Sequence, residues 1–263
     1  MIKKIKLVLI IFLFGLNSAV SQEKVNTPGN DFGVTIGIPC FQVKEKVLNN
    51  IRHGGSLFSF ALSYEKPRET SFKAFEFYYS VSMLKSRYDP ENASYAFSTK
   101  IDYRYLKKAG EFNDKYSVFA GVITGLNSQL MFYDNWDDSH LYWLTSYYLG
   151  VDGMLNYKKS EKSTIFLEIN TPIAALVSRP EARILYKTVN PEFSWIIKKL
   201  HENLRLTSIH QHFVFNMSLG YTYRPSAKFG YRLFWRFSYL KNSMSYSKDL
   251  SIVNHVFGVT LLF

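Results

Sequence analysis

Ser251–Phe263 reads SIVNHVFGVTLLF. From Val253 the odd positions are Val253, His255, Phe257, Val259, Leu261 and Phe263, and they form the larger, mostly apolar set. The even positions, Asn254, Val256, Gly258, Thr260 and Leu262, are mixed and mostly smaller. Side chains on a β-strand alternate between its two faces, so a period of two marks a strand with one apolar face. The strand finishes on a bare aromatic residue, Phe263.

Working back through the chain, the same alternation recurs in about ten segments separated by turn-rich gaps. Phe32–Ile38 sets Phe32, Val34, Ile36 and Ile38 on one side, and Leu57–Glu65 opposes Phe58, Phe60, Leu62 and Tyr64 to Ser59, Ala61 and Ser63. Phe72–Leu84 sets Phe75, Phe77, Tyr79, Val81 and Met83 against Glu76, Tyr78, Ser80 and Ser82. Tyr95–Leu106 is the clearest, with an odd face of Tyr95, Phe97, Thr99, Ile101, Tyr103 and Tyr105 and an even face of Ala96, Ser98, Lys100, Asp102 and Arg104. Tyr116–Leu130 and Leu141–Tyr157 are long enough to project beyond a bilayer, and Ile165–Thr171, Ile209–Tyr223 and Phe229–Tyr239 precede the terminal strand.

Residues 1–21 have the form of a secretory signal. Lys3, Lys4 and Lys6 precede the apolar run Leu7–Leu16, and Ala19 and Ser21 offer small residues before a cut ahead of Gln22. The apolar run is too short for a comfortable helical span, and no later run approaches one. Residues 22–263 then form one large β domain. The chain carries a formal charge of +11 and 17% aromatic residues. No compact basic motif accompanies that charge, so nucleic acid is not an expected partner. Cys40 is the single cysteine, which excludes an intramolecular disulfide and a thiolate metal cluster.

Large rings occupy the apolar face of nearly every segment and are too bulky together for the inside of a ten-stranded barrel, whereas the other face is small residues with charges of both signs. Bulky-out and polar-in is the inversion that lipid demands. The gaps alternate as well. Lys66–Ser71, Lys107–Lys115, Lys158–Ser163 and Arg224–Lys228 are short; Phe41–Ser56, Arg87–Ser94, Tyr133–His140, Ser178–Ser208 and Lys241–Leu250 are generally longer. At the short-turn rim lie Tyr64, Phe72, Tyr105, Tyr116, Tyr157, Tyr223, Tyr231 and Phe263, an expected interfacial aromatic girdle. Signal, alternation, rim asymmetry and terminal Phe263 together resemble a Gram-negative outer-membrane β-barrel, an up-and-down antiparallel barrel of about ten strands. The resemblance covers the whole chain after the signal, but at the level of architecture. It implies residence in the outer membrane, contact with outer-membrane lipid and lipopolysaccharide, and delivery to the barrel-assembly machinery through the C-terminal strand. A soluble lipocalin-like or two-sheet fold is the alternative.

Asn190–Leu204 (NPEFSWIIKKLHENL) breaks the alternation. Asn190 suits an N-cap, Pro191 the first helical position, and Phe193, Ile196, Ile197, Leu200 and Leu204 recur at helical spacing. One short helix is therefore expected in the longest outer loop. It packs its stripe on the strand ends, covers the barrel mouth as a lid, or lies at the interface with its lysines toward glycolipid phosphates.

Parity directs Glu76, Lys100, Asp102, Arg104, Asp152, Glu168, His210, His212, Arg232 and Arg236 into the lumen. A barrel of this size is little wider than one filled by side chains, so these charges are expected to pair and plug it. The alternative is a narrow pathway for small polar solutes. A catalytic set is weaker. Ser208, His210 and His212 share a parity, with Glu168 on a neighbouring strand, but residues two apart lie nearly 7 Å apart at about 3.3 Å per residue. Omptin-like proteases, also ten-stranded, carry Asp and His at the outer rim, where Asp137, Asp138 and His140 are the comparable cluster here. His210 and His212 lack a third metal ligand. No catalytic residue, metal or cofactor is assigned, and the expected role is structural or surface-interacting, with a channel and an outer-membrane lipid hydrolase or protease as the alternatives.

Overall fold

A computed structural model of the chain describes residues 30–46, 52–86, 94–133, 140–180, 192–244 and 249–263, with the backbone alone at 45, 140 and 193. The expected signal at 1–21 lies outside these residues. The elements are β1 (Asp31–Glu45), β2 (Arg52–Gly55), β3 (Leu57–Pro67), β4 (Ser71–Ser86), β5 (Ser94–Phe112), β6 (Tyr116–Tyr133), β7 (His140–Ser160), β8 (Ser163–Ser178), α1 (Phe193–Leu200), β9 (Arg205–Ser208), β10 (His212–Ser226), β11 (Phe229–Asn242) and β12 (Leu250–Leu262).

The twelve strands form one antiparallel sheet that closes on itself. β1 pairs β12 from Gly33↔Leu262 to Glu45↔Leu250, and β8 pairs β10 from Asn170↔Asn216 to Ser163↔Tyr223. Two staves are interrupted. β2 and β3 hold one register against β1 on either side of Ser56, and β9 and β10 follow one another along β8, separated by the turn at 209–211. The barrel therefore has ten staves, as the alternation implies.

The rims are unequal. Residues 68–70, 113–115, 161–162 and 227–228 connect strands at the end where β1 begins and β12 finishes, and Asn113 and Asp114 take left-handed φ values of 53° and 52° in the tight β5–β6 turn. Asn and Asp tolerate that region better than most residues. At the other rim Lys46 reaches Asp249 at 2.6 Å, tying β1 to the start of β12. Hydrogen bonds from Lys46 and Ser243 hold the Asp249 carboxyl below its ordinary range.

Exposed apolar side chains cover the outer wall, among them Ile36, Ile38, Phe58, Phe75, Tyr103, Leu149, Val151, Leu219, Leu233, Phe257 and Leu261. Unlike the mouth lid weighed from sequence, α1 lies against this wall. Leu200, with Trp195 and Ile196, packs on Leu130, Phe132, Leu141 and Trp143, whose parity on β6 and β7 is outward. Trp143 Nε1 donates to Ser178 Oγ at 3.1 Å, Ser178 donates on to the Glu202 carbonyl at 2.5 Å, and Tyr147 Oη bonds His201 Nδ1 at 2.9 Å. The helix is also shorter than its sequence stripe: it begins at Phe193 with Glu192 at the N-cap, and Asn190 lies outside the described residues.

Close approach of two strands makes one glycine a test of this register. A Cβ on Gly121 of β6 would lie 2.1 Å from the Tyr105 carbonyl oxygen of β5, which cannot move without breaking the ladder. Gly121→Val is expected to abolish the compact, heat-modifiable band on gels of refolded protein. Ala120→Val, on the outward face next to it, is expected to keep that band.

Candidate functional site

The lumen is filled in layers, and the layers follow from strand parity. Nearest the long-loop rim, inward residues are apolar: Phe41 and Val43 of β1, Leu84 of β4, Met131 and Tyr133 of β6, Tyr142 and Leu144 of β7, Leu240 of β11 and Leu250 and Ile252 of β12. All ten are at most 2% exposed. Beside them Arg179 donates to Asn242 Oδ1 at 2.7 Å, and Asn242 Nδ2 lies 3.1 Å from His212 Nδ1. Near the short-turn rim a second apolar cluster joins Phe72, Ala74, Leu106, Phe119 and Met154.

Between the two, and reaching the short-turn rim on the side away from that cluster, lies the charged layer. Arg236 grips Glu76 with two parallel bonds of 2.7 and 2.6 Å, and Arg232 grips Glu65 at 2.6 and 2.9 Å. Arg104 bonds Glu168, Arg224 bonds Asp31, and Lys100 reaches Asp102 at 2.6 Å. Tyr148 of β7 donates its hydroxyl proton to Asp102 of β5 over Gly125 of the strand between them. Asn170 donates to Glu168, Asn216 to Asn170 and Ser238 to Asn216, at 3.3, 2.8 and 2.7 Å. Each guanidinium of the central set also stacks on a ring: Arg236 on Phe234 at 4.7 Å, Arg232 on Phe166 at 5.0 Å and Arg104 on Phe72 at 5.7 Å. Planar, delocalised guanidinium groups suit bidentate carboxylate pairing and ring stacking together, which a lysine would not reproduce.

The cations of this layer each hold a carboxylate, and one carboxylate is left over. Asp152 is 4% exposed, faces Gly121 and Asn170 across its two ladders, and neither of its oxygens has a hydrogen-bond partner. Beside the network a cavity of about 110 Å³ is lined by Glu76, Lys100, Asp102, Tyr148, Arg236 and Asn254 among others. At roughly 30 Å³ per water molecule it has room for about four waters. It is a chamber for solvent within the network, with the outer apolar layer on its long-loop side.

Of the lumen residues assigned from parity, Glu76, Lys100, Asp102, Arg104, Glu168, Arg232 and Arg236 meet in this layer, Asp152 lies beside it, and His212 sits at the outer end. His210 does not face the lumen. It is exposed in the turn between β9 and β10, because the stave is interrupted there and β10 begins only at His212. Ser208 is exposed as well, so no Ser–His–Glu arrangement exists on this stave. Asp137 and Asp138 lie outside the described residues, as does the side chain of His140. Sequence reasoning missed Asp31, Glu65 and Arg224, although each continues the inward parity of its strand by one step past where the apolar alternation ends.

At the short-turn rim Tyr116 stacks on Tyr157 at 4.8 Å, Tyr223 meets Tyr231 at 5.5 Å, Phe229 meets Phe263 at 5.9 Å, and Lys73 lies over Tyr105 at 5.1 Å. Tyr64 is exposed on the same wall. Phe72 is the exception. It shares parity with Ala74 and Glu76, points inward and is 9% exposed, forming the inner plug under Arg104.

No family model matches the sequence, and no curated protein matches it by sequence. Among solved structures, the outer membrane protease OmpT from Escherichia coli superimposes with a TM-score of 0.57 at 7% identity, covering 92% of this chain and 99% of that one. The translocator domain of the autotransporter NalP from Neisseria meningitidis gives 0.46 at 8% identity, over 97% and 95% of the two chains. Neisserial surface protein A gives 0.38 at 9%, over 88% and 97%. The chain has the fold of a Gram-negative outer-membrane β-barrel; at these identities no residue role passes from one protein to another.

Pairing dictates the response to mutation. Removing one partner of a buried ion pair costs about 3–5 kcal/mol because the other charge is stranded. Glu76→Gln, which strands Arg236, is therefore expected to lower the denaturant midpoint of the refolded barrel clearly. Asp152→Asn removes a charge with no bonded partner and is expected to leave that midpoint at or above the wild-type value.

Proposed function

We propose that the protein is a non-conducting outer-membrane barrel whose work is done at its outer surface, with the lumen serving stability. The observation that carries this reading is the outer apolar layer: Tyr133, Tyr142, Phe41, Leu84, Leu144, Leu240 and Leu250 converge from six strands with almost no exposed area. A permeation path needs continuous polar lining with room for hydrated solute. Here the polar chamber is small, and the outer apolar layer stands between it and the long-loop rim.

The placement in the outer membrane rests on the fold, the inverted wall and the rim aromatics. In that placement the short turns face the periplasm, and α1 lies outside at the cell surface. Long strands favour the same orientation. β7 has 21 residues; at about 3.3 Å per residue and a tilt near 45° it rises roughly 50 Å, about twice the ~25 Å apolar band of such barrels. The excess stands on the side of the long connections, as a rigid pedestal for them.

Planar-bilayer recording of the refolded full chain tests the reading. Wild-type protein is expected to be electrically silent, and the Tyr133→Ala/Tyr142→Ala double variant to show discrete openings. Stable single-channel conductance from the wild type would overturn it. A Lys162→Cys variant in a Cys40→Ser background is expected to resist an impermeant maleimide on whole cells, where Lys198→Cys labels.

A further inference from the structure

The charged layer of the lumen does not balance. Its cations are Lys100, Arg104, Arg224, Arg232 and Arg236, and each is paired, with Asp102, Glu168, Asp31, Glu65 and Glu76 in turn. Asp152 is the carboxylate left over. It is 4% exposed, and neither of its oxygens has a hydrogen-bond partner. A buried carboxylate without a counter-charge is costly, so a positive charge from outside the chain is called for beside it.

The neighbours of Asp152 offer oxygen. Asn170 of β8 stands directly opposite it in the ladder, and Glu168 lies two residues along on the same inward face. Directly opposed side chains on antiparallel strands have Cβ atoms about 5 Å apart, so oxygens from both strands reach one ion between them. Both neighbours are buried. Glu168 accepts from Arg104 and Asn170, and Asn170 Oδ1 accepts from Asn216, which leaves lone pairs on each. On the other flank Gly121 of β6 brings no side chain to bond Asp152. Glu168 and Asn170 also line the solvent chamber, so its waters complete the oxygen set.

We infer that the lumen binds one monovalent metal ion of sodium's size, held by Asp152 with Asn170, Glu168 and chamber water. Charge selects the valence. The layer lacks a single positive unit, so a monovalent ion closes it at zero and a divalent ion overshoots. The ligands agree, since divalent ions favour several carboxylates and no three acidic, histidine or cysteine side chains cluster for a metal among the described residues. Size excludes organic cations such as choline from a chamber with room for about four waters. Access runs from the short-turn rim, where Asp31, Glu65 and their arginines carry the polar layer to the barrel end. The outer apolar layer stands on the opposite side, so an ion that cancels a fixed charge here is not a permeating one. The inference rests on the lumen pairs alone, and on neither the surface role nor the outer-membrane placement.

Equilibrium dialysis of the refolded full chain in detergent against radiosodium, with choline chloride holding the ionic strength, tests it. Wild-type protein is expected to retain one sodium per chain. Asp152→Asn, which keeps the shape and removes the charge, is expected to retain none above background. Asp114→Asn, in the exposed β5–β6 turn, is expected to match the wild type. A second readout needs no variant. Replacing choline by sodium at fixed pH is expected to raise the wild-type thermal midpoint by about 3–5 °C for each tenfold rise in free ion above its dissociation constant. Asp152→Asn starts at or above the wild type in choline and does not respond, so sodium closes the difference. Absence of retained sodium, or equal retention by wild type and Asp152→Asn, would overturn the proposal. A midpoint that follows pH and ignores sodium would overturn it too, because a proton alone then neutralises Asp152. Heat-modifiable migration is measured alongside, so that a misfolded variant is recognised.

Discussion

Everything in the structure depends on closure of the backbone hydrogen-bond ladder. In hydrocarbon there is no water to satisfy an open sheet edge, and each orphaned N–H or C=O costs several kcal/mol. The pairings of β1 with β12 and of β8 with β10 remove both edges. Once the ladder closes, parity divides the side chains between lipid and lumen, and the sequence of each strand is read as two independent lists. The two interrupted staves show how much local irregularity this tolerates. Ser56 and the 209–211 turn break a strand, yet the neighbours on both sides keep the cylinder closed.

The inward list has its own constraint. A narrow barrel leaves little room for water, so charges placed inside must find opposite charges inside. Placement across the lumen does this: Glu76 on β4 meets Arg236 on β11, Arg104 on β5 meets Glu168 on β8, and Glu65 on β3 meets Arg232 on β11. These pairs join strands far apart in the ladder, which hydrogen bonds between neighbouring strands cannot do. They resist flattening of the cylinder, and the outer apolar layer shields them from the long-loop side. Asp152 departs from the pattern, a sixth carboxylate facing five cations in a place where a backbone-lined gap at Gly121 leaves it nothing to bond.

Fold class, stave number and the inverted surface were legible because they depend on period two, which survives every local detail. So was most of the charged layer, since Glu76, Asp102, Arg104, Glu168, Arg232 and Arg236 sit inside clean alternating runs. What escaped lies where runs end or slip. His210 falls in a break that restarts the strand at His212, and Glu65, Asp31 and Arg224 stand one step past the last apolar residue, where alternation no longer advertises a strand. Phe72 misled for the opposite reason: an aromatic ring at a rim suggests the girdle, but its parity belongs to the interior. The outer plug was illegible altogether. Tyr142 and Leu144 alternate with Leu141 and Trp143, so both faces of upper β7 are apolar and periodicity carries no sign.

That double apolar stretch explains where the helix lies. Upper β6 and β7 rise past the apolar band, so their outward residues Leu130, Phe132, Leu141 and Trp143 would meet water unless covered. Covering a side chain of that size contributes roughly 1.5–3 kcal/mol, and the stripe of α1 supplies the cover through Leu200, Ile196 and Trp195. A lid position over the mouth would offer nothing comparable, because the inward apolar residues there are already buried against one another. Lower on the same strand Tyr147 still meets His201 at the end of the helix, and Leu149 is left bare at 57% exposed. The wall passes from covered to bare within one strand, between Tyr147 and Leu149. Water would penalise bare leucine there and lipid would not, so in the proposed placement that boundary marks the level at which the outer leaflet begins.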